Sequence, residues 1–449
     1  MPKCFTRYVI LKYRSFLGKL QNSYVRCSGL TTKITSFSAS PGEVDLCVLL
    51  YSGGLDTSCM LKWIQEYYDA DVISLTLNLG QSKDFRDIEE KARRLGVKKH
   101  YTIDAREEFV RDFVFPAIKA NAIYQDAYPI STSLSRPLIA KWGVEIARRE
   151  GADAIAHGCT GKGNDQVRFA VTISTLAPDL KIIAPVVEWN LSRDQAIEYA
   201  KKHGIPIPVS INSPYSVDEN LWGRSIECGP LEDPSLEPPE DAYAWTVPPE
   251  EAPSFPEYLE IEFSNGVPIA LNGEEIDGVS LISKLNQIGG AHGVGRIDHM
   301  EDRIVGLKSR EVYEAPAATI LLKAHKDIEK MVCTRHENLF KKLVDEQWTF
   351  LIYSGLWVDP LREDLEAFIN KVNEKVNGTV KVKLFKGNVQ IVGRKSPYAL
   401  YDKTLATYGK ESTFNQYASL GFIELWGLQS KIAFAVRKAV EERGTKNHE

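Results

Sequence analysis

Alternating strand and helix patterns over the first half of the chain predict an α/β fold. A parallel-sheet domain comes first, then an α+β domain, then a C-terminal amphipathic helix. Three observations support this. From residue 46 to about 208, short apolar runs alternate with helical periodicity. After a proline-rich stretch at 229–256 the pattern changes to hairpins and longer helices. Glycine-bearing turns follow two of the expected strands, at 51–58 and 157–169. In parallel α/β sheets ligands gather outside the carboxyl ends of the strands, so these turns mark the expected site.

Each element has its own signal. Residues 46–50 are continuously apolar, as in a strand buried on both faces. Residues 57–68 have helical spacing, with Met60, Leu61, Ile64 and Tyr68 on one side. A second strand is expected at 72–79, a charged surface helix at 84–95 and a third strand at 100–103. Helices at 106–120 and 136–150, strands at 154–157 and 182–187 and a helix at 192–203 complete the sheet domain. Residues 229–256 hold eight prolines and many acids and read as a wrapping linker. Beyond them, 258–263 and 267–271 predict a hairpin about Asn265-Gly266. A helix at 281–288, strand at 296–307 and helix over most of 317–344 follow. Asp359 caps a helix opening at Pro360 and running to about 376. A second hairpin spans 379–385 and 388–393. The last helix, 421–442, carries Leu425, Leu428, Ile432, Val436 and Val440 in one stripe, a face suited to another subunit or domain. The expected divisions are 1–42, 43–208, 209–415 and 416–449.

The 449 residues are 43% hydrophobic and 26% charged, an ordinary globular composition that predicts two or three domains. The net charge of −5 is uneven. Seven Lys or Arg and no acid precede Glu43, leaving 48 basic against 60 acidic residues, a net −12, in the rest. That balance argues against a nucleic-acid partner. The basic, hydroxyl-rich leader reads as an organellar transit peptide or as a disordered extension. A cytoplasmic location is expected, or a stroma or matrix if the leader is a transit peptide. No window reaches a membrane span. Seven scattered cysteines form no C-x-x-C pair, which fits a reducing compartment and argues against zinc.

Residues 51–58 read Tyr-Ser-Gly-Gly-Leu-Asp-Thr-Ser. Gly53 and Gly54 let backbone approach an anion closely. Tyr51, Leu55 and the hydroxyls of Ser52, Thr57 and Ser58 surround the N–H groups of the next helix, which suit phosphate. The loop has no lysine, so it is not the G-x-x-x-x-G-K-[ST] turn. It carries Asp56 instead. A carboxylate beside phosphates is tolerated when a cation lies between them, which points to magnesium.

Residues 157–169 read His-Gly-Cys-Thr-Gly-Lys-Gly-Asn-Asp-Gln-Val-Arg-Phe. Three glycines bare the backbone among Thr160, Lys162, Asn164, Asp165 and Arg168, a set suited to a zwitterion beside a nucleotide. The first loop resembles that of the N-type ATP pyrophosphatases. The pair resembles the argininosuccinate synthase family, whose likeness covers about 44–432. Further matching strings are 131–137 (Ser-Thr-Ser-Leu-Ser-Arg-Pro), 214–220, 223–227, 292–298 and 308–314.

The resemblance implies an adenine nucleotide alpha hydrolase-like domain, a synthetase domain and an oligomerisation helix. It implies a homotetramer that joins citrulline to aspartate using ATP and magnesium, forming AMP and diphosphate. Carried over by residue, 51–58 would hold the triphosphate, with Leu77 and Gly158 at the nucleotide. Thr160, Asn164 and Asp165 match the aspartate positions. Tyr128, Ser133, Asn164, Arg168, Ser216, Ser225, Glu301 and Tyr313 match the citrulline positions. Asp165, Asn164, Asp56 and Lys162 are expected to carry the chemistry, with Lys162 helping the leaving diphosphate. Departures from the family pattern are Leu50, Cys159, Ala291, Asp302 and Glu311; Glu311, where Gly is usual, adds charge beside a citrulline position.

Some readings stay open. Asp165 reads as a base or as a counter-charge, and an ordinary carboxyl pKa of about 3.9 favours the second. Cys159 lacks a nearby resolving cysteine and is a poor nucleophile candidate. His157 and His292 read as packed histidines, Arg296 and Arg303 as ion-pair residues or phosphate ligands. The alternative functions are another N-type ATP pyrophosphatase or a non-catalytic adenine-nucleotide-binding protein.

Overall fold

The computed structural model describes residues 24–27, 30–33, 39–189, 193–206 and 214–446. The expected basic leader lies mostly outside them. Its described part holds β1 (Tyr24–Cys27) and β2 (Leu30–Lys33), an antiparallel pair that the sequence reading did not anticipate. The chain packs as two units, 1–398 and 399–449.

The first unit is built on β3 (Leu46–Leu50), β4 (Asp71–Asn78), β5 (Lys99–Asp104), β6 (Ala154–Ala156) and β7 (Lys181–Ile183). They form a parallel sheet in the order β5-β4-β3-β6-β7. Winding starts at β3, runs out one side through β4 and β5, then resumes on the other through β6 and β7. The reversal falls between β3 and β6, where neighbouring loops part and leave a crevice. Side chains alternate along β3: Cys47 and Leu49 enter one core, Val48 and Leu50 the other. That two-sided burial explains the unbroken apolar run. The second of these cores continues into Leu321, Trp348 and Val380, far along the sequence, so sheet and later elements share one interior.

Helix α1 (Leu55–Tyr68) buries the predicted face of Met60, Leu61, Ile64 and Tyr68. Asp84 caps α2 (Phe85–Arg94) by accepting from the amides of Arg86 and Asp87. The helical run 106–119 contains a π-type turn at Val110–Val114. Helix α3 (Ser131–Glu150) starts five residues before its expected position and keeps Pro137 inside it. Helix α4 (Asp165–Leu176) follows the second glycine-rich loop; the sequence reading left it out because the loop's polar residues run into its first turn. The strand expected at 182–187 stops at Ile183. Pro185, with no N–H to give a ladder, opens the short α5 (Pro185–Trp189) instead. Helix α6 (Arg193–Lys202) ends this part.

A four-stranded antiparallel sheet forms from β8 (Ser216–Asn220), β9 (Gly223–Glu227), β13 (Arg296–Asp302) and β14 (Lys308–Glu314), in the order β13-β14-β9-β8. A second contains β10 (Glu257–Ser264), β11 (Val267–Leu271), β12 (Glu274–Glu275), β15 (Gly378–Phe385) and β16 (Asn388–Lys395). Both predicted hairpins are present, with positive φ at Asn265, Gly266, Lys386 and Gly387. Four long helices accompany the sheets: α7 (Gly278–Ala291), α8 (Pro316–Val332), α9 (Arg335–Tyr353) and α10 (Pro360–Asn373). Asp359 caps the last as expected. The proline-rich segment makes only short 3-10 turns, and the amides of Ala244, Trp245 and Thr246 donate to buried Glu314.

The second unit contains α11 (Lys403–Ala406), α12 (Ala418–Trp426) and α13 (Leu428–Lys446). The terminal helix is therefore two helices parted at Gly427, a residue poorly suited to helix interiors. Phe422, Leu425, Trp426, Ile432, Val436 and Val440 remain exposed in the single chain. Among the described residues no helix is long and apolar enough to cross a membrane.

Candidate active site

The loops after β3 and β6 open on one cleft of about 600 Å3, lined by Asp56 and Asn164 alike. Tyr51, Ser52, Gly54, Leu55 and Thr57 line one end. Gly53 supports the turn from behind: its φ is +75°, and a Cβ there would lie 2.7 Å from Ile88. Ser52 Oγ and Thr57 Oγ1 lie 3.1 Å apart, and Ser58 Oγ donates to the Gly54 carbonyl at 2.7 Å. Ser58 itself sits beneath the cleft, 2.9 Å from the Tyr51 hydroxyl. No side chain caps α1, so its first amides remain available to an anion. Lys83, also in the lining, donates to the Ser52 carbonyl at 3.3 Å, and Lys91 to that of Gly53 at 2.9 Å. Leu77 and Gly158 border the same end.

The other end is walled by the antiparallel sheet. Strand register sets Ser225 opposite Asp218 and Tyr313, and Glu227 opposite Ser216. These residues, with Glu301 and Glu311, face the cleft. Tyr128 stacks on Tyr313 at 4.2 Å between ring centres, and the Tyr313 hydroxyl donates to Glu301. The second loop delivers Thr160, Asn164, Asp165 and Arg168. Asn164 Nδ2 donates to the Tyr353 hydroxyl at 2.8 Å, and its Oδ1 accepts from the Ile304 amide at 2.9 Å. Tyr353 completes the network by donating to Glu301 at 2.5 Å.

Asp165 lies between two guanidinium groups. Arg136 donates to Oδ2 at 2.7 and 2.9 Å, and Arg168 to Oδ1 at 2.8 Å. Burial pushes this carboxyl up, but Arg136 and Arg168 outweigh it and hold it well below the ordinary carboxylate range. It is a counter-charge with little basicity. Burial pushes the Cys159 thiol far up, which removes it as a nucleophile, and pushes the His157 imidazole down to about 4. His157 stacks against Phe169 as a packed residue.

Three buried polar atoms in this region have no hydrogen-bond partner: Ser133 Oγ, Arg168 Nη2 and Ser225 Oγ. Buried polar groups are nearly always satisfied, so such atoms on a cleft are candidate ligand contacts. Arg168 and Ser225 reach the lining; Ser133 is fully buried behind it.

Lys162 requires a correction. It is exposed and outside the cleft lining. The Gly163 amide bonds back to the Thr160 carbonyl at 3.3 Å, which puts Lys162 at the outer corner of a tight turn. Arg296 is also remote, bound to Glu240 and Thr246. Arg303 does line the cleft, held by Glu227 at 2.7 Å and Glu311 at 2.6 Å. Tyr353 and Lys83 escaped sequence reasoning, and Asp218 and Glu227 lay within the quoted 214–220 and 223–227 strings without an assigned part. Arg136 lay within the quoted 131–137 string without an assigned part. For magnesium, Asp56, Ser52 and Thr57 present hard oxygen donors beside the phosphate turn, which suits a cation held mainly by phosphates. Among the described residues no cluster of three or more His, Cys, Asp or Glu forms an all-protein metal cage.

A model of the arginosuccinate synthase N-terminal HUP domain matches residues 46–206, and one of the C-terminal domain matches 215–433. The argininosuccinate synthase of Pyrococcus furiosus is 59% identical over 387 residues, covering 86% of this chain and 94% of its own. That of Dehalococcoides mccartyi strain 195 is 55% identical over 401 residues, covering 89% and 99%. That of Dictyoglomus turgidum is 55% identical over 388 residues, covering 86% and 97%. The chain belongs to the argininosuccinate synthase family.

Proposed function

We propose that this chain joins citrulline to aspartate in arginine biosynthesis, cleaving ATP to AMP and diphosphate through a citrullyl-adenylate. The observation that supports it most is a shared cleft. A hydroxyl-rich phosphate turn at one end faces unsatisfied Arg168 and Ser225 atoms at the other.

The ureido oxygen of citrulline attacks the α-phosphorus. A P–O bond forms, the bridging α–β P–O bond breaks, and diphosphate leaves. The amine of aspartate then attacks the ureido carbon, the carbon–oxygen bond to AMP breaks, and the amine proton is lost. Ser52, Gly54, Thr57 and the α1 amides hold the phosphates, with Lys83 at the same end. Asp56, Ser52 and Thr57 would hold magnesium, which when bound neutralises charge on the leaving diphosphate. Leu77 and Gly158 border the adenosine. Tyr128, Ser133, Asn164, Arg168, Ser216, Ser225, Glu301 and Tyr313 bind citrulline, Asn164 being shared with aspartate. Thr160, Asn164 and Asp165 bind aspartate, Asp165 as counter-charge to its ammonium. Fixing both amino acids beside the nucleotide contributes on the order of 7–11 kcal/mol through proximity.

The exposed apolar side chains of α12 and α13 fit burial against other copies in a homotetramer. The net acidic body fits small-molecule substrates and no nucleic acid, and the cytoplasm is the proposed location. Diphosphate release is measured with ATP, citrulline and aspartate, each omitted in turn. Release that proceeds without citrulline would overturn the reading. Light scattering before and after removal of 399–449 tests the assembly.

A further inference from the structure

Arg303 occupies an unusual position. It leaves the β13–β14 turn between two acids, Glu227 on β9 and Glu311 on β14. Its Nε donates to Ser309 Oγ at 2.8 Å, and that hydroxyl donates to Glu311 at 2.8 Å. Its remaining nitrogen, Nη1, reaches the Lys162 carbonyl in the glycine-rich loop at 3.3 Å. The next residue, Ile304, gives its amide to Asn164. One turn of the antiparallel sheet thus grips the loop that carries Thr160, Asn164 and Asp165.

We propose that Arg303, clamped by Glu227 and Glu311, is a positioning residue that latches the glycine-rich loop and sets affinity for the second amino acid. The inference rests on the function proposed above. Arg303 touches no reacting atom; it acts through Asn164 and the loop backbone. Asn164 is held at both ends of its amide, so movement of residues 303–304 reorients it. Arg303 bonds to neither the triphosphate turn nor any citrulline position, and Asn164 is one of eight residues assigned to citrulline but one of three assigned to aspartate, so adenylation of citrulline tolerates a looser latch better than aspartate capture does.

The acid pair adds a pH signature. Glu227 faces Arg303 and Glu311, with Ser216 opposite on β8 and Asp218 and Asp165 further off. Burial, then the Glu311 charge, pushes its carboxyl up to about 7, although its side chain is 40% exposed to the cleft. Above that pH both acids hold Arg303; as pH falls through it, Glu227 takes a proton and its hold weakens.

The test compares wild type, Glu311→Gln and Arg303→Lys. Citrulline-dependent exchange of labelled diphosphate into ATP, without aspartate, reads the first half-reaction. Its absence in wild type would refute the proposed function itself. The latch predicts that exchange in Glu311→Gln stays within about twofold, while the aspartate KM rises about three- to tenfold, the size of one partly exposed ion pair. Arg303→Lys should shift the same constant further. In wild type the aspartate KM should rise as pH drops from 8 to 6; in Glu311→Gln that bend should move toward the ordinary carboxylate range. An unchanged aspartate KM in both variants, or exchange falling in parallel with it, overturns the latch.

Discussion

Asp165→Asn tests the heart of the amino-acid end. The carboxylate accepts from Arg136 and Arg168 through three contacts of 2.7–2.9 Å. Its side chain is 23% exposed, so solvent screens part of the interaction. Arg136 keeps Asp218 at 2.8 Å, and Arg168 keeps the Tyr353 carbonyl at 2.9 Å. Arg136 so keeps a carboxylate, but Arg168, with a side chain 4% exposed, loses its counter-charge, and the stability loss should be about 3–5 kcal/mol, the penalty of an uncompensated buried charge. Binding is affected separately. In the proposed assignment the variant loses one charge-assisted bond to the aspartate ammonium, worth about 1.5–3 kcal/mol, which would raise the aspartate requirement about 10- to 150-fold. Steady-state kinetics with varied aspartate reads this, beside equilibrium titration of ATP. ATP binding should stay within about threefold of wild type, since no hydrogen bond joins Asp165 to residues 51–58. Loss of ATP affinity equal to the loss for aspartate would refute the assignment. The pH dependence has a definite sign. A carboxyl held low in the folded state contributes stability above its unfolded pKa and loses it as pH falls toward the folded value. The gap between variant and wild type should therefore be flat from pH 6 to 9 and narrow below about pH 4.

Three further outcomes follow from backbone and burial. Gly53→Ala should lower ATP affinity about tenfold or more, because φ is +75° and the added Cβ meets Ile88; nucleotide titration with unchanged affinity would contradict it. His325 is fully buried between Asn121 and Asn373, and burial pushes its imidazole down to about 4. The unfolded chain then takes the proton first as pH falls below about 6.5, so stability declines by about 2 kcal/mol by pH 5; thermal melts of His325→Gln should flatten that slope. Gly355→Ala, with φ of +81° and a Cβ 2.9 Å from Arg168 Cα, should raise the citrulline KM more than it changes ATP binding; equal changes in the two would show the strain is not local.

The sheet domain was legible because burial on both faces of β3 leaves an unbroken apolar run and α1 has a clear periodic face. The two glycine-rich loops were legible because close backbone approach demands glycine. The four-stranded sheet was harder. Strands such as Ser-Val-Asp-Glu-Asn of β8 line a polar cleft and lack apolar alternation, so pattern reading passed over them. Helix α4 was hidden for the same reason, since its first turn is the binding loop. Lys162 illustrates a different limit. Composition says a cation is nearby; only the turn at 160–163 decides that it points outward. Tyr353 carries no local signal, and Arg303 reads only as an ion-pair residue or phosphate ligand, because their contacts with 162–168 span well over a hundred residues.

That separation bears on how the site assembles. The phosphate turn is local: its hydroxyls bond within residues 51–58 and its strand pairs with β4 and β6. The amino-acid end is not. Arg168 is spanned by Asp165 from its own helix and by the Tyr353 carbonyl from the end of α9. Asn164 is spanned by Tyr353 and Ile304. Each of these side chains is fixed only when the later elements have packed on the sheet through the shared core around Trp348 and Leu321. Nucleotide recognition therefore depends mainly on the sheet and its first turn. Under the proposed assignment, recognition of the two amino acids depends on tertiary docking. Substitutions deep in that shared core should act on amino-acid affinity before they act on ATP.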